Sequence, residues 1–260
     1  MIWFVGAGPG APDLITVRGA RLLSQADVVV YAGSLINPEL LDLCGEGCAL
    51  HDSSGMDLGQ IVDVMVRADA EGLSCVRLHT GDPSLYGAVR EQMEALRACG
   101  VSFEVVPGVS SFLGAAASLG TELTSPEVSQ TVILTRAAGR TPVPKAESLA
   151  GLASFGCTMV VFLSAGRLRK VQDELLAGGY DKDTPAAIVY RATWPDELVC
   201  RCSVSTLAEC GRRNRISKTA LVVVGEALGD LRAQSRLYDA AFSHGFRTSR
   251  NATEGAGHAR

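Results

Sequence analysis

Three short apolar strands each run straight into a turn rich in glycine and proline, and this repeated juncture constrains the fold more than any other feature. Ile2 to Val5 leads into Gly6-Ala-Gly8-Pro9-Gly10-Ala11-Pro12-Asp13. Cys75 to Leu78 leads into His79-Thr-Gly81-Asp82-Pro83-Ser84, and Phe103 to Val106 into Pro107-Gly108-Val109-Ser110-Ser111. Each turn is followed by a stretch with helical spacing: Leu14 to Leu23, Ala88 to Ala98 and Ser110 to Ser118. Strand, turn and helix in alternation predict an α/β fold with a largely parallel sheet. In open sheets of that kind, ligands bind outside the carboxyl ends of the strands, where all three turns fall.

The same rhythm fills in between and continues beyond. Val28 to Tyr31 reads as a strand, Pro38 to Leu43 as a short helix, and Leu58 to Ala70 as an amphipathic helix. The segment Gly120 to Gln130, with Thr121, Thr124, Ser125 and Pro126, breaks the pattern and reads as a linker. A second run then offers strands at Thr131–Leu134, Thr158–Leu163, Ala186–Tyr190, Leu198–Ser203 and Ala220–Val224. Helices are expected at Gly166–Ala177 and Val204–Arg212. The chain has 260 residues, and a domain takes roughly 150. The expectation is two α/β domains, 1–120 and 121–234, followed by a peripheral, mobile tail over 235–260.

Several function classes fall away on composition. The formal net charge is -4 with no basic arm, which argues against a nucleic-acid partner. The longest apolar runs, Met159–Leu163 and Leu221–Val224, fall far short of the roughly 18 residues that a membrane span needs. Met1-Ile-Trp-Phe-Val-Gly6 enters a strand with no basic start, so the expected location is the cytoplasm. The eight cysteines and four histidines do not complete a zinc spacing, and no metal is expected.

The turns carry several chemistries. Gly6 to Ala11 formally satisfies the dinucleotide fingerprint G-x-G-x-x-[GA]. Pro9 and Pro12, however, have no N–H to offer a pyrophosphate, and no acidic residue closes the second strand. The turn can equally be a tight strand-to-helix connection, with Thr16 or Asp13 capping the helix. Asp82 either caps a helix near Ser84 or faces a ligand, and the same choice holds for Ser110 and Ser111. Arg136, Arg140 and Lys145 lie on a loop with glycine and proline; they suit a polyanion or belong to a solvated loop. Trp194 either lines a pocket for a flat ligand or packs on a sheet edge. There is no GxSxG, no GxxxxGK[ST] and no Cys–His pair at a recognisable spacing.

Taken together, these motifs resemble one family, the S-adenosylmethionine-dependent tetrapyrrole methyltransferases of corrin and sirohaem synthesis. VGAGPGAPDLIT, HTGDPSLYGA, VPGVSS and TALVVVGEAL occur in that family's order, over about residues 1 to 230. Residues 31–41, 124–144 and 190–197 are similar to the branch that methylates C11 of precorrin-4. The resemblance implies two α/β domains with the cofactor in the cleft between them, a tetrapyrrole methylase fold and not a Rossmann methyltransferase. It also implies a homodimer. It assigns S-adenosylmethionine contacts to Pro9, Gly81, Asp82, Leu85, Ser110 and Ser111, and from the second half to Leu163, Ser164 and Ala192. The implied substrate is precorrin-4, or its cobalt-loaded counterpart, a macrocycle bearing many carboxylates. Arg136, Arg140, Lys145 and Arg191 are then candidates to grip those carboxylates, and Tyr86, Glu127 and His79 to handle a proton. Three alternatives stay open: methylation at another ring position, an NAD(P)-dependent oxidoreductase, and a tetrapyrrole-binding protein that is not an enzyme.

Overall fold

Among the described residues, ten strands sort into two five-stranded sheets. The structure is a computed structural model that describes residues 1–229, 242, 243 and 245–247. The tail expected over 235–260 lies, but for those few positions, outside the described residues.

The first sheet is parallel throughout. It holds β1 (Ile2–Gly6), β2 (Val28–Tyr31), β3 (Ala49–Asp52), β4 (Cys75–His79) and β5 (Phe103–Val106), in the order β3-β2-β4-β1-β5. The central strands β1, β2 and β4 are almost wholly buried, because helices cover both faces of a sheet with crossover connections. Leu22 and Leu23 of α1 (Val17–Ser24) pack on one face. Ile61, Val62 and Met65 of α2 (Leu58–Ala70) and Leu96 of α3 (Val89–Ala98) pack on the other. Of the two possible caps for α1, Thr16 serves: its hydroxyl accepts from Gly19 N at 3.1 Å. Strand β3 was not expected. It is a largely exposed edge strand reading Ala-Leu-His-Asp, with no apolar run to announce it.

Helix α4 (Ser111–Leu119) follows β5 and ends at Gly120, whose φ of 61° is left-handed. Its buried residues Ala115 and Leu119 pack against Val160, Val189, Leu221 and Val223 of the second sheet. The two halves therefore interlock along α4.

The second sheet holds β6 (Val132–Arg136), β7 (Thr158–Phe162), β8 (Pro185–Tyr190), β9 (Leu198–Ser203) and β10 (Ala220–Val224), in the order β6-β7-β10-β8-β9. The expectation of a largely parallel sheet fails here. Only β6 and β7 run parallel; β10 is antiparallel to β7 and β8, and β9 to β8. The physical reason for β9 is plain: residues 191–197 are too few for the crossover of a dozen or more that parallel pairing needs. Helices α5 (Leu149–Ala153), α6 (Leu168–Ala177) and α7 (Leu207–Arg213) cover the face away from α4 through Leu149, Val171, Leu175 and Leu207.

Candidate active site

Strand β1 leaves the first sheet toward β2, whereas β4 leaves toward β5 on the other side. A crevice opens at their carboxyl ends, and the three turns meet in it. Gly8 N donates to Gly81 O at 3.2 Å, Gly81 N to Gly8 O at 2.8 Å, and Ala7 N to His79 O at 2.7 Å. A Cβ on Gly6 would stand 2.6 Å from Gly108 Cα, so close approach of backbones fixes glycine there. Asp82 ties the second turn to the third. Its Oδ2 accepts from Gly108 N at 2.8 Å, and its Oδ1 accepts from Ser84 N at 2.8 Å and from the Ser84 hydroxyl. Partial burial pushes the carboxyl up, but the bonds from Ser84 and Gly108 outweigh it and hold Asp82 below its usual value.

Above these turns lies a cavity of about 470 Å³, a size typical of small-molecule sites. Ser110 lines it, and its side chain makes no cap bond to α4. Ser111 lines it too, and the Ser110 hydroxyl is not spent on sealing the helix.

The opposite wall comes from the second sheet. Leu163 follows β7, and Arg191 and Ala192 follow β8. Ser217, Lys218 and Thr219 precede β10, whose antiparallel course brings its start to the same edge. Of the eight non-glycine residues with positive φ among the described residues, four line this cavity: Tyr86, Leu163, Arg191 and Thr219. Backbone strain of this kind gathers at functional sites. The loop after β8 is bolted to the first turn: Trp194 Nε1 donates to Pro9 O at 3.1 Å, and Ala11 N donates to Thr193 Oγ1 at 2.9 Å. The Arg191 guanidinium lies 4.7 Å above the Trp194 ring and donates to Asp196 Oδ2 at 2.7 Å, while its Nε is buried without a partner. Beyond Arg191 and Trp194 lies a second cavity of about 460 Å³, walled by Tyr31, Gly33, Ser34, Ile36, Pro38, Leu41 and Asp52.

Of the nine expected cofactor contacts, Pro9, Gly81, Asp82, Leu85, Ser110, Ser111, Leu163 and Ala192 line the first cavity. Ser164 does not. It is buried, its hydroxyl donating to Phe162 O at 2.7 Å and accepting from Ala137 N at 3.0 Å. The strand ends at Phe162, and the left-handed Leu163 turns its own side chain outward instead. Among the expected cations only Arg191 lines either cavity. Arg136 donates to Thr141 O at 3.2 Å and Pro142 O at 2.7 Å, closing its own loop; Arg140 and Lys145 are exposed on that loop. Tyr86 and His79 line the first cavity, whereas Glu127 is exposed outside it. Burial pushes the Tyr86 phenol up; Arg136 opposes this and Glu147 adds to it. Burial, reinforced by Arg77, pushes His79 down to about 3, so its imidazole is neutral at physiological pH. Among the described residues no cluster of His, Cys, Asp and Glu has the makings of a metal site.

Sequence reasoning missed Arg77, Lys218 and Thr219. Arg77 had a signal, a charge in the middle of an apolar strand. The pair before β10 had none, because their place follows from the direction of that strand.

The comparisons agree with this geometry. The family model for tetrapyrrole (corrin/porphyrin) methylases matches residues 1–208. The chain is 49% identical to the cobalt-precorrin-4 C(11)-methyltransferase of Methanocaldococcus jannaschii over 246 residues, 94% of this chain and 95% of that one. Its fold is similar to the X-ray structure of a cobalamin biosynthetic enzyme, cobalt precorrin-4 methyltransferase. There the TM-score is 0.86 at 48% identity, covering 88% of this chain and 96% of that chain. It is also similar to the uroporphyrin-III C-methyltransferase of Thermus thermophilus complexed with S-adenyl homocysteine, with a TM-score of 0.72 at 30% identity over 87% of this chain and 92% of that one. The two sheets, the cross-bonded turns and these matches have one conclusion: this chain belongs to the tetrapyrrole methylase family.

Proposed function

We infer that the chain transfers a methyl group from S-adenosylmethionine to C11 of precorrin-4, with or without cobalt. One observation carries this reading. The turns expected to hold the cofactor line one cavity, the segments 31–41 and 190–197 wall a second, and Arg191 and Trp194 belong to both. A donor and an acceptor held in adjoining spaces suit a group transfer.

The first cavity fits the cofactor by its chemistry. Leu85, Phe162, Leu163 and Ala192 offer apolar contact, and Ser110, whose side chain makes no cap bond, and Ser111 offer hydroxyls for hydrogen bonds. When bound, S-adenosylmethionine supplies a methyl group on a sulfonium, and the electron-rich macrocycle is itself the nucleophile. The protein's task is alignment, since in-line displacement draws much of its rate from orientation. Pro9, Gly81 and Asp82 form a rigid floor for this, and Trp194 fixes the opposite wall to it. Arg191, with its buried Nε unpaired, holds a substrate carboxylate; a charge-assisted bond of this type contributes about 1.5–3 kcal/mol. Arg136, Arg140 and Lys145 receive outer carboxylates at the mouth beside Tyr86. Neutral His79 and the Tyr86 hydroxyl are the groups available to accept or relay a proton.

The same reading divides the chain into halves at 120/121 and includes a homodimer in the cytoplasm; family resemblance supports the two-domain plan and the dimer. No helix among the described residues is long and apolar enough to cross a membrane.

Thermal-shift measurements test the cofactor. S-adenosylhomocysteine should raise the melting temperature and NADPH should not; the reverse would favour an oxidoreductase. Arg140→Ala should weaken binding of a polycarboxylated porphyrin and leave S-adenosylhomocysteine binding unchanged by calorimetry. The opposite pattern removes the loop from the substrate's path.

A further inference from the structure

We propose that Arg77 is a receptor for a ligand carboxylate at the floor of the first cavity, a proposal that rests on reading this cleft as the cofactor and substrate site. Arg77 sits in the middle of β4 at 5% exposure and lines the cavity. Nearly buried arginines ordinarily have an acidic partner. This one forms no ion pair among the described residues. Its surroundings are neutral: Nε donates to Gln92 Oε1 at 3.0 Å, and Nη1 donates to Ser53 Oγ at 3.0 Å and to Val30 O at 3.3 Å.

Counting donors shows what is left over. A guanidinium has five N–H groups. Three are used by these bonds, and both hydrogens of Nη2 remain. The three partners are themselves anchored. Gln92 Nε2 donates to Ala88 O at 3.0 Å, and the Ser53 hydroxyl donates to Tyr31 O at 2.8 Å. The fork is therefore held in one orientation with one nitrogen open to the cavity. Burial lowers the guanidinium only to about 10, so it carries its charge at physiological pH. A fixed, charged and uncompensated donor in a ligand cavity calls for an anion from the ligand. Two sources share that chemistry: the amino-acid end of the cofactor and the acidic side chains of the macrocycle.

Calorimetry with three probes separates them. S-adenosylhomocysteine carries the amino-acid carboxylate, methylthioadenosine lacks it, and a polycarboxylated porphyrin stands for the substrate. In Arg77→Gln, affinity should fall about tenfold or more for the probe whose carboxylate is received, and stay within about twofold for methylthioadenosine. Loss confined to S-adenosylhomocysteine identifies the cofactor, and loss confined to the porphyrin identifies the substrate. Arg77→Lys keeps the charge and should lose less for the same probe; it decides the matter if Arg77→Gln fails to fold. The proposal is overturned if all three affinities hold, or if methylthioadenosine weakens as much as the others, which marks a structural role. Wild-type protein that binds none of the probes overturns the reading of the cleft, and the proposal with it.

Discussion

The two walls of the cleft are built on opposite principles. The first-sheet wall is made of turns where glycine permits close approach and backbone bonds lock one turn to the next, as between Gly8 and Gly81. The second-sheet wall is made of Leu163, Arg191 and Thr219, side-chain-bearing residues held at positive φ. Glycine turns let the backbones of this floor approach without strain at the turns themselves, and in this half Tyr86 is the only non-glycine residue at positive φ that lines the cavity. Strained residues give side chains aimed at the ligand, each at a conformational cost of order 1–3 kcal/mol. One wall is fixed by close-packed glycine turns, the other by left-handed residues that carry side chains.

That contrast predicts that substitutions in the first wall damage folding, whereas substitutions in the second trade stability against binding. The largest effect should come from Gly6→Ala, whose methyl would press on Gly108 backbone; a loss of about 3 kcal/mol or more is expected in urea unfolding. A loss below about 1 kcal/mol would show that the turns can move apart. Asp82→Ala should cost about 2–3 kcal/mol, since both turns lose charge-assisted bonds, and should weaken S-adenosylhomocysteine binding as well. Unchanged stability with weakened binding would assign Asp82 to the ligand instead of the turns.

A pH titration probes the same floor. His79 is held neutral down to about 3 when folded, whereas an unfolded histidine titrates near 6.5. Its contribution is intact above about 6.5 and is lost progressively as pH falls toward 3, at up to about 1.4 kcal/mol per pH unit. His79→Gln should remove that acid sensitivity; an identical pH profile in the variant would place the sensitivity elsewhere. The smallest effects separate two neighbours in the second wall. Leu163→Gly should stabilise the fold by about 0.5–1 kcal/mol through relief of strain while weakening cofactor binding. Ser164→Ala should destabilise by about 1–3 kcal/mol, leaving Ala137 N–H unpaired, with cofactor affinity unchanged. Exchange of these two outcomes would reverse the assignment made by the strand end at Phe162.

The first wall was legible in the chain because its signals are local. Apolar runs stop at Gly6, Gly81 and Gly108, and strand ends in a parallel sheet fall on one edge. The second wall was legible only in part. Leu163 and Ala192, assigned by resemblance, follow strands and line the cavity, whereas Ser164, assigned with them, is turned into the protein, because which side a residue faces depends on a backbone turn at Leu163. Ser217 to Thr219 reach the cavity only because β10 runs antiparallel, a fact of long-range pairing. Arg77 announced itself as a charge in an apolar strand, and its lack of an acidic partner needed the packed structure.

The central claim is that this cleft places a sulfonium methyl against C11 of a carboxylated macrocycle. Incubation with S-adenosylmethionine labelled at its methyl carbon and with precorrin-4, followed by mass spectrometry and carbon NMR of the product, tests it most directly. The account predicts a gain of one labelled methyl, bonded at C11. A product that gains no methyl, or gains it at another ring carbon, would contradict it.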